Sequence, residues 1–382
     1  MPLSILIGGD LAPTKSNEDL FINAKAEELI GVDLLRILNA SDINIYNLEV
    51  PLVDQPSPIK KCGPNLIAKT ETINGIKALR PTLLCLANNH ILDQGSKGLL
   101  STLNILDNNN IDYIGAGENL KSAQKHFLIE KNGIRIGVYN CAEHEFTIAD
   151  DEKAGANPFD VIEGYKHVSE LSLLCDFLVV IYHGGKEYFR YPSPKNQKYC
   201  RHFIDCGADL IICQHSHCVG CEEKYNNGTI VYGQGNFIFD ASDNECWQTS
   251  ILINIDFIEK EDIKISYLPI KKLENHIYYA NDDIGADILK GFRKRSEEIK
   301  DASFISNKYA ELSQDYLASY LISSNYSRMM RLILRIIKKL FGKKALYMFM
   351  YPRAMLNLLN IIECEAHNEL FIEGLKNEFF NY

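Results

Sequence analysis

From its start to about residue 270 the chain repeats one texture. Short apolar, β-branched runs stop abruptly at polar or Gly-rich residues, and helix-like segments separate most of them. The runs are 4–7, 42–46, 82–86, 134–139, 177–182, 210–213, 230–232 and 250–255. They are apolar throughout rather than at alternate positions, which predicts strands buried on both faces. Periodicity predicts helices over about 18–39, 96–109, 165–175 and 195–206, the last closing at Cys206-Gly207, a suitable C-terminal cap. Strand–helix alternation predicts an α/β fold, in which ligands gather beyond the carboxyl ends of strands.

After about residue 275 the texture changes. Leu, Ile, Met, Lys and Glu recur there at helical spacing, so we expect a domain over 1–275 and a helical C-terminal extension over 276–382. Residues 328–344 hold seven basic side chains and no acid, with Met329, Ile333, Ile336, Ile337 and Leu340 able to share one face. This is a basic amphipathic helix. It reads either as a surface helix packed on its own chain or as a docking element for anionic lipid or an anionic partner.

Composition adds two exclusions and a compartment. The 382 residues are 46% hydrophobic and 24% charged, values of a folded chain rather than a disordered or repetitive one. The net charge of −10 argues against a nucleic-acid partner. The longest uncharged stretch, residues 225–239, is 15 residues, against about 20 for a membrane span. The start, MPLSILIGGD, lacks the basic region of a secretory signal. Eleven scattered cysteines without framework spacing predict a reducing cytoplasm.

The chemistry lies where the runs end. The first ends at Gly8-Gly9-Asp10, the second at Asn47-Leu48-Glu49 and the third at Asn88-Asn89-His90. The fifth ends at His183-Gly184-Gly185 and the sixth at His215-Ser216-His217. Each has an ordinary reading as turn or cap chemistry. Taken together, they bring carboxylates, an amide and imidazoles to one rim of a sheet, the ligand chemistry of divalent Mn, Fe or Zn. With His215 and His217 at i and i+2 on an extended segment, both imidazoles point the same way. Cys218-x-x-Cys221 has no second pair at zinc-finger spacing. A G-x-S-x-G elbow, a P-loop and a G-x-G-x-x-G signature are all missing from the sequence.

Six motifs in order resemble the CapA family of capsule or poly-γ-glutamate biosynthesis proteins, within the calcineurin-like metallophosphoesterase superfamily. They are Gly9-Asp10; Asn47-Leu48-Glu49-Val50-Pro51-Leu52; ANNHILDQG from Ala87 to Gly95; His183-Gly184-Gly185-Lys186-Glu187-Tyr188; His215-Ser216-His217; and Gly235-Asn236-Phe237-Ile238-Phe239-Asp240. The resemblance implies a four-layer αββα sandwich with two divalent metal ions at one edge. It implies Asp10 and His217 on the first metal, Asn89, His183 and His215 on the second, and Glu49 bridging both. His90 would act as proton donor or transition-state stabiliser with Asp93 as its partner, and Glu187, Tyr188 and Asn236 would line the substrate region.

Two functions follow from the resemblance. One is a metal-dependent hydrolase of phosphoester or related linkages in an anionic small molecule or polymer. The other is a non-catalytic subunit of a capsule or polyglutamate synthesis complex, peripheral to the inner face of the membrane through 328–344. The chain departs from the pattern at Ala12, where the superfamily carries a further histidine ligand, and at Gly184, where relatives often carry tryptophan. Gln214 precedes His215 in place of Gly or His. Substrate specificity is expected in the loops 50–70, 142–164 and 186–196.

Overall fold

All eight apolar runs become strands, and each divides its side chains between two cores, because successive residues of a strand face opposite ways. Ile5 and Ile7 enter one hydrophobic cluster while Leu6 enters another. Val179 and Ile181 join that first cluster, whereas Leu178, Val180 and Tyr182 point into a third. The computed structural model describes residues 2–324, 327–348 and 352–380. Residues 325–326, 349–351 and 381–382 of the expected extension lie outside the described residues.

One sheet runs in space His276–Tyr279, Ile263–Leu273, Thr249–Phe257, Leu3–Ala12, Ile43–Leu48, Leu83–Cys85 and Asp112–Ile114, with Asn236–Phe239 also paired to Leu3–Ala12. The other runs Glu222–Tyr225, Gly228–Tyr232, Leu210–Gln214, Phe177–His183, Ile134–Ala142 and Phe127–Lys131. Their facing side chains share one cluster that includes Ile5, Ile45, Leu83, Val138, Val179 and Ile212. The outer face of the first sheet is covered by helices Glu18–Ile22, Ala26–Ala40 and Gly95–Asn108 through Phe21, Leu34 and Leu99. Helices Glu163–Ser172 and Pro194–Asp205 cover the second through Val168 and Phe203. The architecture is therefore helix, sheet, sheet, helix, the four-layer α/β sandwich expected.

Leu3–Ala12, Ile43–Leu48, Leu83–Cys85 and Asp112–Ile114 run parallel. So do Ile134–Ala142, Phe177–His183, Leu210–Gln214 and Gly228–Tyr232. Parallel strands put their carboxyl ends on one edge of their sheet, and at or just past the ends of Ile43–Leu48, Leu83–Cys85, Phe177–His183 and Leu210–Gln214 stand Glu49, Asn89, His183 and His215.

The expected helix over 18–39 is interrupted twice, at Ala24 with φ 53° and at Gly31 with φ 73°, and so forms three short helical pieces. Gly207 takes the positive φ, 103°, of the expected cap after Pro194–Asp205. The chain forms two compact units, Met1–Ile305 and Ser306–Tyr382. Residues 276–305, grouped by sequence with the extension, lie in the first unit. His276–Tyr279 pairs with Ile263–Leu273, and Phe292 of helix Asp283–Glu298 enters the core between the sheets. In the second unit Ala318, Ile322, Leu334 and Leu346 form a small cluster of their own. Among the described residues, no helix is long and apolar enough to cross a membrane.

Candidate metal centre

Close backbone approach builds the first corner. A Cβ on Gly9 would stand 2.0 Å from the Gly235 carbonyl oxygen, so only glycine lets Leu3–Ala12 lie this close to the chain before Asn236–Phe239. Asp10 then falls in register with both Asn47 and Asn236. Its Oδ1 accepts a 2.8 Å hydrogen bond from Asn47 Nδ2, and its Oδ2 lies 3.4 Å from His217 Nδ1. Ala12, where a further histidine was noted as missing, is buried in the outer hydrophobic cluster and opposes Phe239, so that corner offers carbon only.

Glu49 follows the end of Ile43–Leu48 and is fully buried, and neither carboxylate oxygen has a hydrogen-bond partner. It faces His183, whose Nε2 is 3.6 Å from Glu49 Oε1 and 3.1 Å from Asn89 Oδ1. His183 Nδ1 lies 3.9 Å from Asp10 Oδ1. Glu49 belongs to two groups of ligating atoms spaced closely enough for an ion, Asp10–Glu49–His183 and Glu49–His215–His217. The six expected ligands Asp10, Glu49, Asn89, His183, His215 and His217 thus converge on one buried cluster.

One local expectation is corrected. His215 and His217 do not sit on an extended segment: the strand ends at Gln214, and the two histidines take φ values of 83° and 53°. Left-handed backbone at non-glycine residues costs of order 1–3 kcal/mol each and collects at functional sites. Here it turns both rings inward, with centroids 6.0 Å apart.

Burial and neighbours set the charges. Burial would raise the Asp10 carboxyl, but the hydrogen bond from His217, the nearby His183 and the Asn47 amide hold it well below the carboxylate range. Burial, reinforced by the Asp10 charge, pushes Glu49 well above its ordinary value. Burial pushes His183 down to about 3 and, with the neighbouring imidazoles, drives His215 well below its ordinary value. Neutral imidazole with a free lone pair is the ligating form. Buried unpartnered carboxylate oxygens, an amide oxygen and neutral imidazoles suit a divalent transition ion.

His90 stands beside this cluster. Its Nδ1 is 2.6 Å from Asp93 Oδ2, and its Nε2 is 4.0 Å from Glu49 Oε1. Of the expected substrate contacts, Tyr188 is exposed and places its ring 6.3 Å from that of His217. Asn236 lies behind His217, with Oδ1 2.8 Å from Nδ1, and is buried. Glu187 is near enough that its charge raises Glu49. At Gly184 a Cβ would meet the Tyr182 ring at 2.5 Å, so any side chain here would require that ring to move.

Residues 4–241 match the family model described as "Bacterial capsule synthesis protein PGA_cap". The chain belongs to this family. A capsule biosynthesis protein CapA of Bacillus anthracis is 32% identical over 250 residues, covering 62% of this chain and 60% of that protein. The PGA biosynthesis protein CapA of Bacillus subtilis is 32% identical over 209 residues, 53% of this chain and 55% of its own length. The chain therefore spans somewhat over half the length of these PGA_cap relatives. Among solved structures, a novel phosphatase from Mycoplasma pneumoniae is similar at TM-score 0.43 and 13% identity, over 72% of this chain and 95% of that one.

Sequence reasoning about this PGA_cap chain missed several supporting residues. Asn88 donates from Nδ2 to Asn47 Oδ1 at 3.1 Å and accepts the His90 amide N–H at 3.1 Å, tying two strand ends together. Lys61 is the larger omission. Its side chain is 2% exposed, forms an ion pair with the wholly buried Asp93 and donates to the Asn89 carbonyl at 3.1 Å. Lys60-Lys61 reads in sequence as a solvated pair, and nothing local marks Lys61 as buried. Removing one member of a buried ion pair costs about 3–5 kcal/mol. Lys61→Met should therefore lower the melting temperature by roughly 5–10 °C, with Asp93→Asn restoring part of the loss in the double variant. A Lys61→Met melting curve matching that of the native chain would contradict this assignment.

Cys218 and Cys221 enter different hydrophobic clusters, one beside Trp247 and the other beside Phe203. They do not form a zinc knuckle.

Proposed function

We propose that this chain is a metal-dependent hydrolase of the phosphoesterase type, acting on an anionic small molecule or polymer in capsule, exopolysaccharide or poly-γ-glutamate metabolism. The observation that carries the reading is Glu49, a fully buried carboxylate with both oxygens unpartnered and shared by two ligand groups. The family membership supplies the biological setting.

In this reading Asp10 and His217 would hold one divalent ion, Asn89, His183 and His215 would hold the other, and Glu49 would serve both. The 3.4 Å approach of Asp10 to His217 and the 3.1 Å approach of His183 Nε2 to Asn89 fit that division, whereas the two closest groups around Glu49 join Asp10 to His183 and His215 to His217 across it. Mn, Fe and Zn all suit this donor set. Two such ions supply Lewis-acid activation of water and charge stabilisation at phosphorus. The chain's own residues do the rest. Asp93 accepts the His90 Nδ1 proton and fixes the ring, so that Nε2, facing the cluster, holds the proton passed to the leaving oxygen. Lys61 fixes Asp93 in turn. Tyr188, Glu187 and Asn236 would be the substrate contacts in this reading.

Metal-loaded protein should contain about two ions per chain and hydrolyse an aryl phosphate ester or diester. Full loading with no turnover of any phosphoester, peptide or polyglutamate tested would remove the enzymatic part of the proposal.

The segment Arg328–Met348 is not one helix, because Gly342 takes φ 81° and breaks the expected basic helix before Lys343 and Lys344; its first part favours a second property, docking at the cytoplasmic face of the membrane. Met329, Ile333, Ile336 and Leu340 are exposed, while Leu334 alone of its first three turns is buried. An exposed apolar stripe flanked by Arg331, Arg335, Lys338 and Lys339 matches an anionic lipid surface. Reversing the charges of Arg331, Arg335 and Lys338 should abolish co-sedimentation with phosphatidylglycerol vesicles at physiological salt. Equal sedimentation of native and reversed protein would refute lipid docking.

A further inference from the structure

The strand end that the sequence reading passed over is that of Ile134–Ala142, which continues into Glu143-His144-Glu145. Glu143 Oε1 lies 3.6 Å and Glu145 Oε1 3.8 Å from His215 Nε2. Ligating atoms of the three residues all fall within 4.8 Å of one another. Two donors about 2.1 Å from a common ion stand roughly 3–4 Å apart, so this spacing needs only a small contraction. Against burial, which raises both, the charges of Lys186 and Lys61 favour the ionised Glu143 and Glu145 respectively, and Gly185 N–H donates to Glu143 Oε2 at 3.3 Å, so both can be carboxylates ready to ligate.

The independent sign of a ligand is His215. It is 5% exposed, its Nδ1 has no hydrogen-bond partner, and its Nε2 points at the two glutamates from beyond hydrogen-bonding distance. A buried imidazole left without partners is costly. The glutamates themselves are about one-third exposed, so the cluster opens to solvent where the inner centre does not.

We propose that Glu143, Glu145 and His215 form a further divalent-cation site at the mouth of the inner cluster, distinct from the ions held around Glu49. Two carboxylates and one imidazole favour a harder ion such as Mn²⁺. One neutral imidazole nitrogen serves one ion, so a rim ion bound to Nε2 competes for His215 with the inner centre. The rim site is therefore the weaker one and lies where ions enter. This inference rests on the metal reading above only through His215.

The test is an Mn²⁺ binding isotherm, read from the electron paramagnetic resonance of free Mn²⁺, on the native chain and on Glu143→Gln/Glu145→Gln. The native chain should show a tight class and a weaker class, and the double variant should lose the weaker one by tenfold or more in affinity while keeping the tight one. Glu145→Gln alone, at a partly exposed position, should show the same direction if the double variant folds poorly by circular dichroism. Glu49→Gln should show the opposite pattern, with the tight class lost and the weak class kept. Superimposable isotherms for native and rim variants overturn the rim site and leave the inner centre standing. A native chain that binds no Mn²⁺ overturns both.

Discussion

Glu49→Gln is expected to raise the melting temperature of the metal-free protein and to abolish the further rise that divalent metal gives the native chain. An unpaired buried carboxylate costs several kcal/mol, relieved only in part when the group takes up a proton. Glutamine has nearly the same shape without that charge. At roughly 2–4 °C per kcal/mol, a gain of several degrees is expected, read by calorimetry after chelation. Metal stabilises the native fold by about 2.7 kcal/mol per site at a hundredfold excess over the dissociation constant, and the variant should lose this.

The pH dependence has a fixed sign. Burial raises Glu49 above its unfolded value of 4.5, so the folded metal-free chain keeps a proton that the unfolded chain releases. Stability of the metal-free protein should therefore fall as pH rises through 4.5, and Glu49→Gln should flatten that slope. Asp10 acts in the opposite sense and at lower pH, because its contribution is complete above 3.8 and is lost as pH falls. A native metal-free chain as stable as the variant at neutral pH would show that burying Glu49 costs the metal-free fold nothing.

His90→Ala is expected to lower kcat by about 10²–10⁴, the usual worth of a positioned general acid, while metal content stays at the native level. The separation follows from geometry. His90 Nε2 is 4.0 Å from Glu49, while the ligand groups around Glu49 are completed by Asp10, His183, His215 and His217. The Lys61–Asp93 pair survives the substitution, so the fold should also survive it. The check is single-turnover hydrolysis of bis-p-nitrophenyl phosphate alongside metal analysis of the same sample. Unchanged kcat would remove His90 from the chemistry, and metal lost together with activity would make it a ligand.

The buried strands were legible because a strand covered on both faces must be apolar at every position. The strands Ile263–Leu273 and His276–Tyr279 escaped because they are half exposed and carry Lys271, Lys272 and Tyr278 among their apolar residues. At the site, the candidate ligands on strand ends could be read from sequence, since parallel strands deliver their carboxyl ends to one edge. Lys61 could not, because it reaches the site from the loop 53–69, whose path depends on tertiary contacts such as Leu66 N–H to Asp93 Oδ2 at 2.6 Å. Glu143 and Glu145 obeyed the strand-end rule and needed only its application to the fourth run. The positive φ of His215 and His217 has no signature in a His-Ser-His tripeptide.

Anomalous diffraction from crystals grown with Mn²⁺, recorded on both sides of the manganese edge, tests the central claim most directly. At the inner centre, apart from any rim peak beside Glu143 and Glu145, two peaks about 3.5–4 Å apart with Glu49 between them are predicted, one beside Asp10 and His217 and one beside Asn89, His183 and His215. Density at full Mn²⁺ saturation with no anomalous peak within bonding distance of Glu49 would contradict it.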